Sequence, residues 1–102
     1  PPEIVFLSNQ GNTAGYCWTS INRSPEKPVG FIEMVGIVPD YRRQGLGQPT
    51  ALAGMHHLIT RGAQYIRLQV DDQNTAAKRI YTSIGFKNTQ KLHWFEAEIA
   101  EG

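Results

Sequence analysis

A glycine-containing turn between a strand-like segment and a helix-like segment is the feature of this chain best suited to binding a ligand. The run from residue 37 to residue 47 reads Ile-Val-Pro-Asp-Tyr-Arg-Arg-Gln-Gly-Leu-Gly. Successive backbone N–H groups at such a turn, followed by a helix N-terminus, form a cradle for anionic phosphates. The spacing and its context therefore predict a site for a phosphorylated cofactor.

We expect the residues around the two glycines to form this cradle. Backbone amides of residues 43–48 would donate to phosphate oxygens, and Gly45 and Gly47 lack the Cβ that would hinder close approach. The two arginines would add charge in a geometry suited to phosphate, or else lie in a solvated turn. The candidate cofactor-binding residues of this segment are Arg42, Arg43, Gln44, Gly45, Gly47 and Gln48.

Composition indicates an ordinary globular protein, and we expect one domain over residues 1–102. Hydrophobic residues make up 40%, charged residues 19%, and the net charge is +1, which favours neither nucleic acid nor a membrane surface as a partner. No apolar run approaches the roughly 20 residues that span a bilayer. Cys17, the single cysteine, cannot form an intrachain disulfide, so we expect a cytoplasmic protein.

Hydrophobic periodicity predicts an α/β chain with the element order β-β-β-α-β-α-β, a mixed sheet with helices packed on it. Alternating apolar residues predict strands over residues 4–7, 14–21, 29–38, 65–70 and 92–99. Apolar residues at helical spacing predict helices from about Pro49 to Arg61 and from an N-cap at Asn74 to Gly85. The first three strands should form an antiparallel meander.

Two sequence blocks resemble the GNAT superfamily of N-acyltransferases. The first is Arg42-x-x-Gly45-x-Gly47 after a strand ending in Pro39; the second runs from Leu68 to Ala77 and continues to Tyr81 and Gly85-Phe86. The resemblance covers roughly residues 14–86, and within the superfamily it is similar to the C-terminal half of mycothiol-synthase-type enzymes. It implies acetyl-CoA as the acyl donor, a small-molecule or peptide amine as the acceptor, and no metal.

The resemblance also implies that part of the usual fold is missing. Members of the superfamily usually begin with a strand and two helices that commonly wall the acceptor site, and nothing in this chain corresponds to them. We therefore expect a fragment, one half of a tandem protein or a trimmed form. An exposed sheet face and an unpaired edge would favour a homodimer or a companion domain.

Glu33 and Tyr81 are the candidate catalytic residues. An amine with a pKa of about 10.4 is mostly protonated at neutral pH and needs a base before it attacks. Glu33 lies in an apolar strand on the face of residues 31, 35 and 37, where partial burial would strengthen it as a base; a carboxylate paired with Arg or Lys is the alternative. Tyr81 occupies the superfamily's tyrosine position, which implies protonation of the departing thiolate, whereas periodicity alone predicts a core residue.

The resemblance assigns the remaining cofactor contacts to two strands and a helix cap. The pantetheine arm would pair with the edge of the strand ending at Ile37, and the gap beside strand 65–70 would hold the thioester. Backbone N–H groups near Val35 and Ile37 would face the developing oxyanion. Asn74 would both cap its helix and hydrogen-bond the arm.

Three functions follow from these residues. The first is an acetyl-CoA-dependent N-acetyltransferase that works by direct transfer, since Cys17 has no basic neighbour and is expected to be a buried structural residue. The second is a catalytically inactive acyl-CoA-binding module or regulatory domain. The third is a nucleotide-phosphate binder of another fold, which the absence of Gly-Lys-Ser/Thr after the glycines disfavours.

Overall fold

The computed structural model describes residues 2–22, 27–89 and 93–99, which form a six-stranded mixed sheet and two helices. A single 3-10 turn at Pro39–Tyr41 follows the third strand. The elements are β1 (Glu3–Asn9), β2 (Asn12–Asn22), β3 (Val29–Ile37), α1 (Gly47–Thr60), β4 (Tyr65–Gln69), α2 (Thr75–Ser83), β5 (Lys87–Asn88) and β6 (Trp94–Glu98).

This architecture confirms the predicted α/β class and adds one strand. The short β5 was not predicted, because its two polar residues carry no apolar period. The last strand, β6, is shorter than the predicted span of 92–99, and residue 92 lies outside the described residues. Within the described ranges, neither helix has the length and apolar character needed to cross a lipid bilayer.

The strands lie in the order β1-β2-β3-β4-β6-β5. The first three strands form the antiparallel meander that the sequence predicted. β3 pairs parallel to β4, and such a pair needs a crossover connection, which α1 provides. β6 then pairs antiparallel with both β4 and β5.

Helix α1 begins at Gly47, two residues before the predicted start at Pro49. Pro49 lies in the first turn, where its missing N–H costs no intrahelical hydrogen bond. Ala51, Met55 and Leu58 are buried, so one face of the helix packs on the sheet. Chain reversal after the helix uses Gly62, as predicted; its φ is +94°, in the left-handed region that favours glycine.

The hydrophobic core lies between the two helices and one face of the sheet. Each large apolar side chain that is fully removed from water contributes about 1.5–3 kcal/mol of transfer free energy. The larger side chains of this core are Ile32, Met55, Leu58, Ile66, Leu68, Val70, Phe86 and Phe95.

The other face of the sheet is open among the described residues. Cross-strand neighbours Ile4 and Trp18 are 46% and 42% exposed, Phe6 is 60% exposed, and Met34, which pairs with Trp18, is 49% exposed. These values show that neither α1 nor α2 covers this side, which we call the open face. An exposed apolar area of this kind marks a surface that a partner can cover.

Candidate functional site

The turn between β3 and α1 presents a run of unsatisfied backbone amides. The described residues supply no acceptor to the amides of residues 43–48, and Leu46 at the N-cap makes no side-chain capping hydrogen bond. Arg43 and Gly45 have φ values of 65° and 73°, a left-handed backbone typical of anion-binding nests. The free amides and the helix dipole together favour an anion at this turn.

The two glycines of the turn are required for different reasons. A Cβ at Gly45 would meet no atom within 4 Å, so its positive φ is what favours glycine there. A Cβ at Gly47 would stand 3.0 Å from the Cδ1 atom of Ile80 on α2. Gly47 therefore also lets α2 approach α1, a role that the sequence motif did not reveal.

The two arginines of this turn make different contacts. Arg42 donates from Nε to the carbonyl oxygen of Ile37 at 3.2 Å, which ties the turn to the end of β3. Arg43 is exposed and takes part in none of the ion pairs that join described residues. Gln44 donates from Nε2 to the backbone oxygen of Asp40 at 3.4 Å. Arg42 likewise forms no ion pair with a described residue, so both arginine charges are available to a bound anion.

A cleft opens where β3 and β4 separate. The parallel register runs from Val29 opposite Tyr65 to Ile32 opposite Leu68 and ends there. Beyond it the strands enclose a cleft of about 180 Å³. Residues that line the cleft include Glu33, Met34, Val35, Gln69, Val70, Asp71, Asn74, Ala77 and Tyr81.

The cleft unites four of the predicted site residues. Glu33 and Val35 line it from β3, while Asn74 and Tyr81 line it from α2 and its cap. Ile37 is not among the lining residues and lies farther along β3.

A β-bulge at Glu33 corrects the predicted strand geometry. Thr19 pairs with Ile32 and Trp18 pairs with Met34, so Glu33 is an extra residue between the two pairs. The bulge reverses the inward–outward alternation of β3. The prediction that residues 31, 33, 35 and 37 share one face is therefore wrong, because Val35 opposes the buried Cys17 on the core side.

Glu33 is exposed, which contradicts the partial burial expected from its apolar neighbours. The bulge lifts it out of the regular ladder, and its Oε1 accepts a hydrogen bond from the Oγ of Ser20 at 2.7 Å. Among the described residues no ion pair joins Glu33 to an arginine or lysine. Glu33 therefore lines the cleft with a hydroxyl as the partner of its carboxylate, and Ser20 is a contact of this residue that the sequence did not indicate.

Tyr81 is half-buried, and its ring packs edge-on against Phe86 with centroids 5.6 Å apart. Burial, with a smaller contribution from nearby Cys17, raises the pKa of Tyr81 to about 12. The phenol stays protonated at neutral pH and can donate a hydrogen bond into the cleft. It gives up its proton less readily than a free phenol would.

Cys17 is a core residue, as predicted. Its side chain is fully buried, and burial raises the pKa of the thiol to about 11. A nucleophilic cysteine needs a lowered pKa, because the thiolate is the reactive form. Its burial and its raised pKa therefore argue against a role for the thiol as a covalent acyl carrier.

Asn74 caps α2 as predicted. Its Oδ1 accepts from the backbone N–H of Ala77 at 3.1 Å. Because the cap uses the oxygen, the side-chain NH₂ group stays available to a ligand in the cleft. In the part of the chain that the structure describes, no group of three or more His, Cys, Asp or Glu residues could hold a metal ion.

Comparison with known proteins finds relatives of this chain by sequence and by fold. The model of the acetyltransferase (GNAT) family matches residues 1–86. Mycothiol acetyltransferase of Thermobispora bispora is 40% identical over 89 residues, which cover 83% of this chain and 30% of that protein. The chain spans about 30% of the length of the curated relatives it matches.

Solved structures share the fold. The ribosomal-protein-S18-alanine N-acetyltransferase of Escherichia coli aligns with a TM-score of 0.78 at 23% identity, covering 99% of this chain and 71% of that one. The PaiA N-acetyltransferase of Thermoplasma acidophilum, solved in complex with coenzyme A, aligns with a TM-score of 0.75 at 17% identity, covering 96% and 61%. At these identities the alignments establish the fold alone.

Proposed function

The chain belongs to the acetyltransferase (GNAT) family, and from this membership we propose that it transfers an acetyl group from acetyl-CoA directly to a primary amine. The observation that carries the proposal is the cleft between β3 and β4, which brings Glu33, Asn74 and Tyr81 together. The turn with the free amides follows β3 and so lies at the same end of the sheet. An acyl-CoA donor requires a phosphate-binding turn for its pyrophosphate beside a polar cleft for its thioester.

The cofactor would be held mainly by backbone groups. Pyrophosphate oxygens would accept from the amides of residues 43–48, with Arg43 and the dipole of α1 adding positive charge. The two amides of the pantetheine arm would pair with the edge of β3 beyond Ile32, where β4 no longer does. The side-chain NH₂ of Asn74 would donate to the same arm, and the backbone of Val35 and Ile37 would donate to the oxyanion.

In the proposed reaction, Glu33 removes a proton from the acceptor ammonium. The amine nitrogen then bonds to the thioester carbonyl carbon, the carbon–sulfur bond breaks and the electron pair leaves on sulfur. The nitrogen gives up its second proton to the departing thiolate, so the products are the amide and the free thiol. Tyr81 donates a hydrogen bond to that sulfur, because its high pKa keeps the hydroxyl protonated. We place a small-molecule amine ahead of a peptide amine as the acceptor, because the curated relatives are named mycothiol acetyltransferases.

A second function, acyl-CoA binding without turnover, is favoured by the open face. No described helix covers Trp18 or Met34 on that side. The described residues therefore provide a binding site for the cofactor but little surface to enclose an acceptor. Binding would then be retained and acetyl transfer would be absent.

The test combines calorimetric titration of acetyl-CoA with a thiol-release assay on a panel of small amines and peptides. We expect saturable binding by the unaltered chain and by Glu33→Gln, with thiol release about 100-fold slower in Glu33→Gln. Glu98→Gln is the matched control, since Glu98 is an exposed carboxylate on β6 outside the cleft. Binding without thiol release would support the second function, and no binding would overturn both.

A further inference from the structure

We propose that Ser20 is a positioning residue that holds the Glu33 carboxylate at the cleft, an inference that rests on the proposed function of Glu33 as the base. The Oγ of Ser20 donates to Oε1 of Glu33 at 2.7 Å across the β2–β3 pair. Among the described residues this is the only hydrogen bond made by the carboxylate, so Oε2 is left to accept a proton from the acceptor. The hydroxyl thus fixes one oxygen and frees the other.

Glu33 needs such a contact because of where the bulge places it. As the extra residue between two ladder pairs, it is exposed. An exposed glutamate has several rotatable bonds, and an unrestrained carboxylate would spend much of its time away from the reacting nitrogen. General-base catalysis requires the base within hydrogen-bond reach of the proton it removes.

Ser20 is well placed to supply the restraint. It lies in the paired part of β2, opposite Phe31, and one ladder pair, Thr19–Ile32, separates it from the bulge. Its side chain is short, so the hydroxyl position follows the backbone of β2, which pairs with β3 at Ser20 and also with β1 up to Thr19. The bond therefore ties the mobile carboxylate to a rigid element.

No charged group in the described residues competes for Glu33. Arg67 on β4 and Glu96 on β6 are bonded to each other at 2.5 Å. Asp71, which also lines the cleft, accepts from the backbone N–H of Gln73 at 2.9 Å. The orientation of the Glu33 carboxylate is accordingly controlled by the serine hydroxyl.

The kinetic test is a double-mutant cycle of Ser20→Ala and Glu33→Gln, with Ser20→Thr as the matched control that keeps the hydroxyl. We expect Ser20→Ala to lower kcat about 3- to 10-fold with little change in the KM for acetyl-CoA. Ser20→Thr should restore kcat, and Ser20→Ala should have no further effect in the Glu33→Gln background. An equal loss in both backgrounds, or no loss at all, would overturn the positioning role.

A second measurement does not depend on turnover. Three-bond couplings of the Glu33 β protons, measured by NMR, should report one χ1 rotamer in the unaltered chain and in Ser20→Thr, and averaged values in Ser20→Ala. Averaged couplings in the unaltered chain would refute the inference. If acetyl-CoA binds and no amine is acetylated, the thiol-release assay contradicts the proposed acetyl transfer. The couplings are independent of that result and still show whether Ser20 restrains the Glu33 side chain.

Discussion

Gly54 of α1 lies so close to Cys17 of β2 that a Cβ at residue 54 would stand 2.3 Å from the cysteine Sγ. Both residues are buried. The approach of helix to strand at this point sets how α1 lies on the sheet. It therefore also sets where the N-terminus of α1, with its free amides, stands relative to the cleft.

Replacing Gly54 by alanine should destabilise the fold by about 2 kcal/mol. Overpacking a tight core costs about 1–3 kcal/mol, and an approach of 2.3 Å puts this site at the upper end of that range. The roughly 1 kcal/mol that alanine gains over glycine in a helix interior offsets only part of this cost. Urea denaturation measures the difference in the free energy of unfolding. Cys17→Ala in the Gly54→Ala background should recover part of the loss, because the nearest remaining atom would be the Cβ at 3.1 Å. A neutral Gly54→Ala would show that the contact is not tight.

The elements were predictable from the sequence because their signals are local. Apolar spacing defined the buried face of α1 through Met55 and Leu58, and Asn74 was recognisable as an N-cap from its position before a helical period. Gly54 gave no such signal, since its requirement comes from Cys17 on a distant strand. Contacts between residues that are distant in the sequence cannot be predicted from the local spacing of apolar residues.

The bulge at Glu33 shows the same limit within the site. The run Phe-Ile-Glu-Met-Val around it is compatible with plain alternation, so the predicted faces beyond Ile32 were reversed. The contact between Ser20 and Glu33 depends on the register of β2 against β3, and a lone serine in an apolar strand does not indicate it. The cofactor turn was found because its chemistry lies in consecutive residues.

Gly45→Ala should weaken acetyl-CoA binding at least about tenfold, whereas Gly62→Ala should change it less than about twofold. Both glycines have positive φ values, +73° and +94°, and open space where a Cβ would lie. Each alanine should therefore cost a similar 1–2 kcal/mol of backbone strain. Only Gly45 lies in the turn with the free amides. Calorimetric titration and urea denaturation of both variants separate the two effects, and equal losses of affinity would contradict the proposed cradle.

Tyr81→Phe should lower kcat about tenfold and leave acetyl-CoA binding intact, because the hydroxyl acts on the departing sulfur. Since burial raises the pKa of Tyr81 to about 12, its hydroxyl remains a donor throughout the neutral and mildly alkaline range. The ratio of kcat between the unaltered chain and Tyr81→Phe should therefore stay constant from pH 7 to about pH 10. Tyr65→Phe, at the start of β4 and outside the cleft, is the control. A ratio that collapses below pH 10 would argue against this role.

Alkaline pH should destabilise the fold through Cys17. The pKa of the buried thiol is raised to about 11, while in the unfolded chain it ionises near about 8.5. Between these values the unfolded state binds fewer protons than the folded state, so stability is complete below about pH 8.5 and falls as pH rises. The full loss, reached only above about pH 11, is roughly 3 kcal/mol.

The midpoint of urea denaturation, measured from pH 7 to pH 10, tests whether stability falls as pH rises. Tyr81, with its pKa of about 12, contributes to the same loss only above the ordinary tyrosine value of about 10, so the window isolates the thiol. Cys17→Ala should show a flatter profile than the unaltered chain. Parallel profiles would mean that the thiol does not carry the pH dependence.

We propose that the open face is covered by a second copy of the chain or by a companion domain, and we expect the isolated chain to self-associate. Phe6 and Met34 are 60% and 49% exposed on this face, and apolar area of this kind drives association. In sedimentation velocity at rising concentration, Phe6→Glu/Met34→Glu should shift the chain towards monomer. Leu52→Glu is the matched control, because Leu52 is 44% exposed but lies on α1, on the other side of the sheet. A monomeric unaltered chain would refute the second copy and leave the companion domain as the cover, and dissociation by Leu52→Glu alone would move the interface to the helical side.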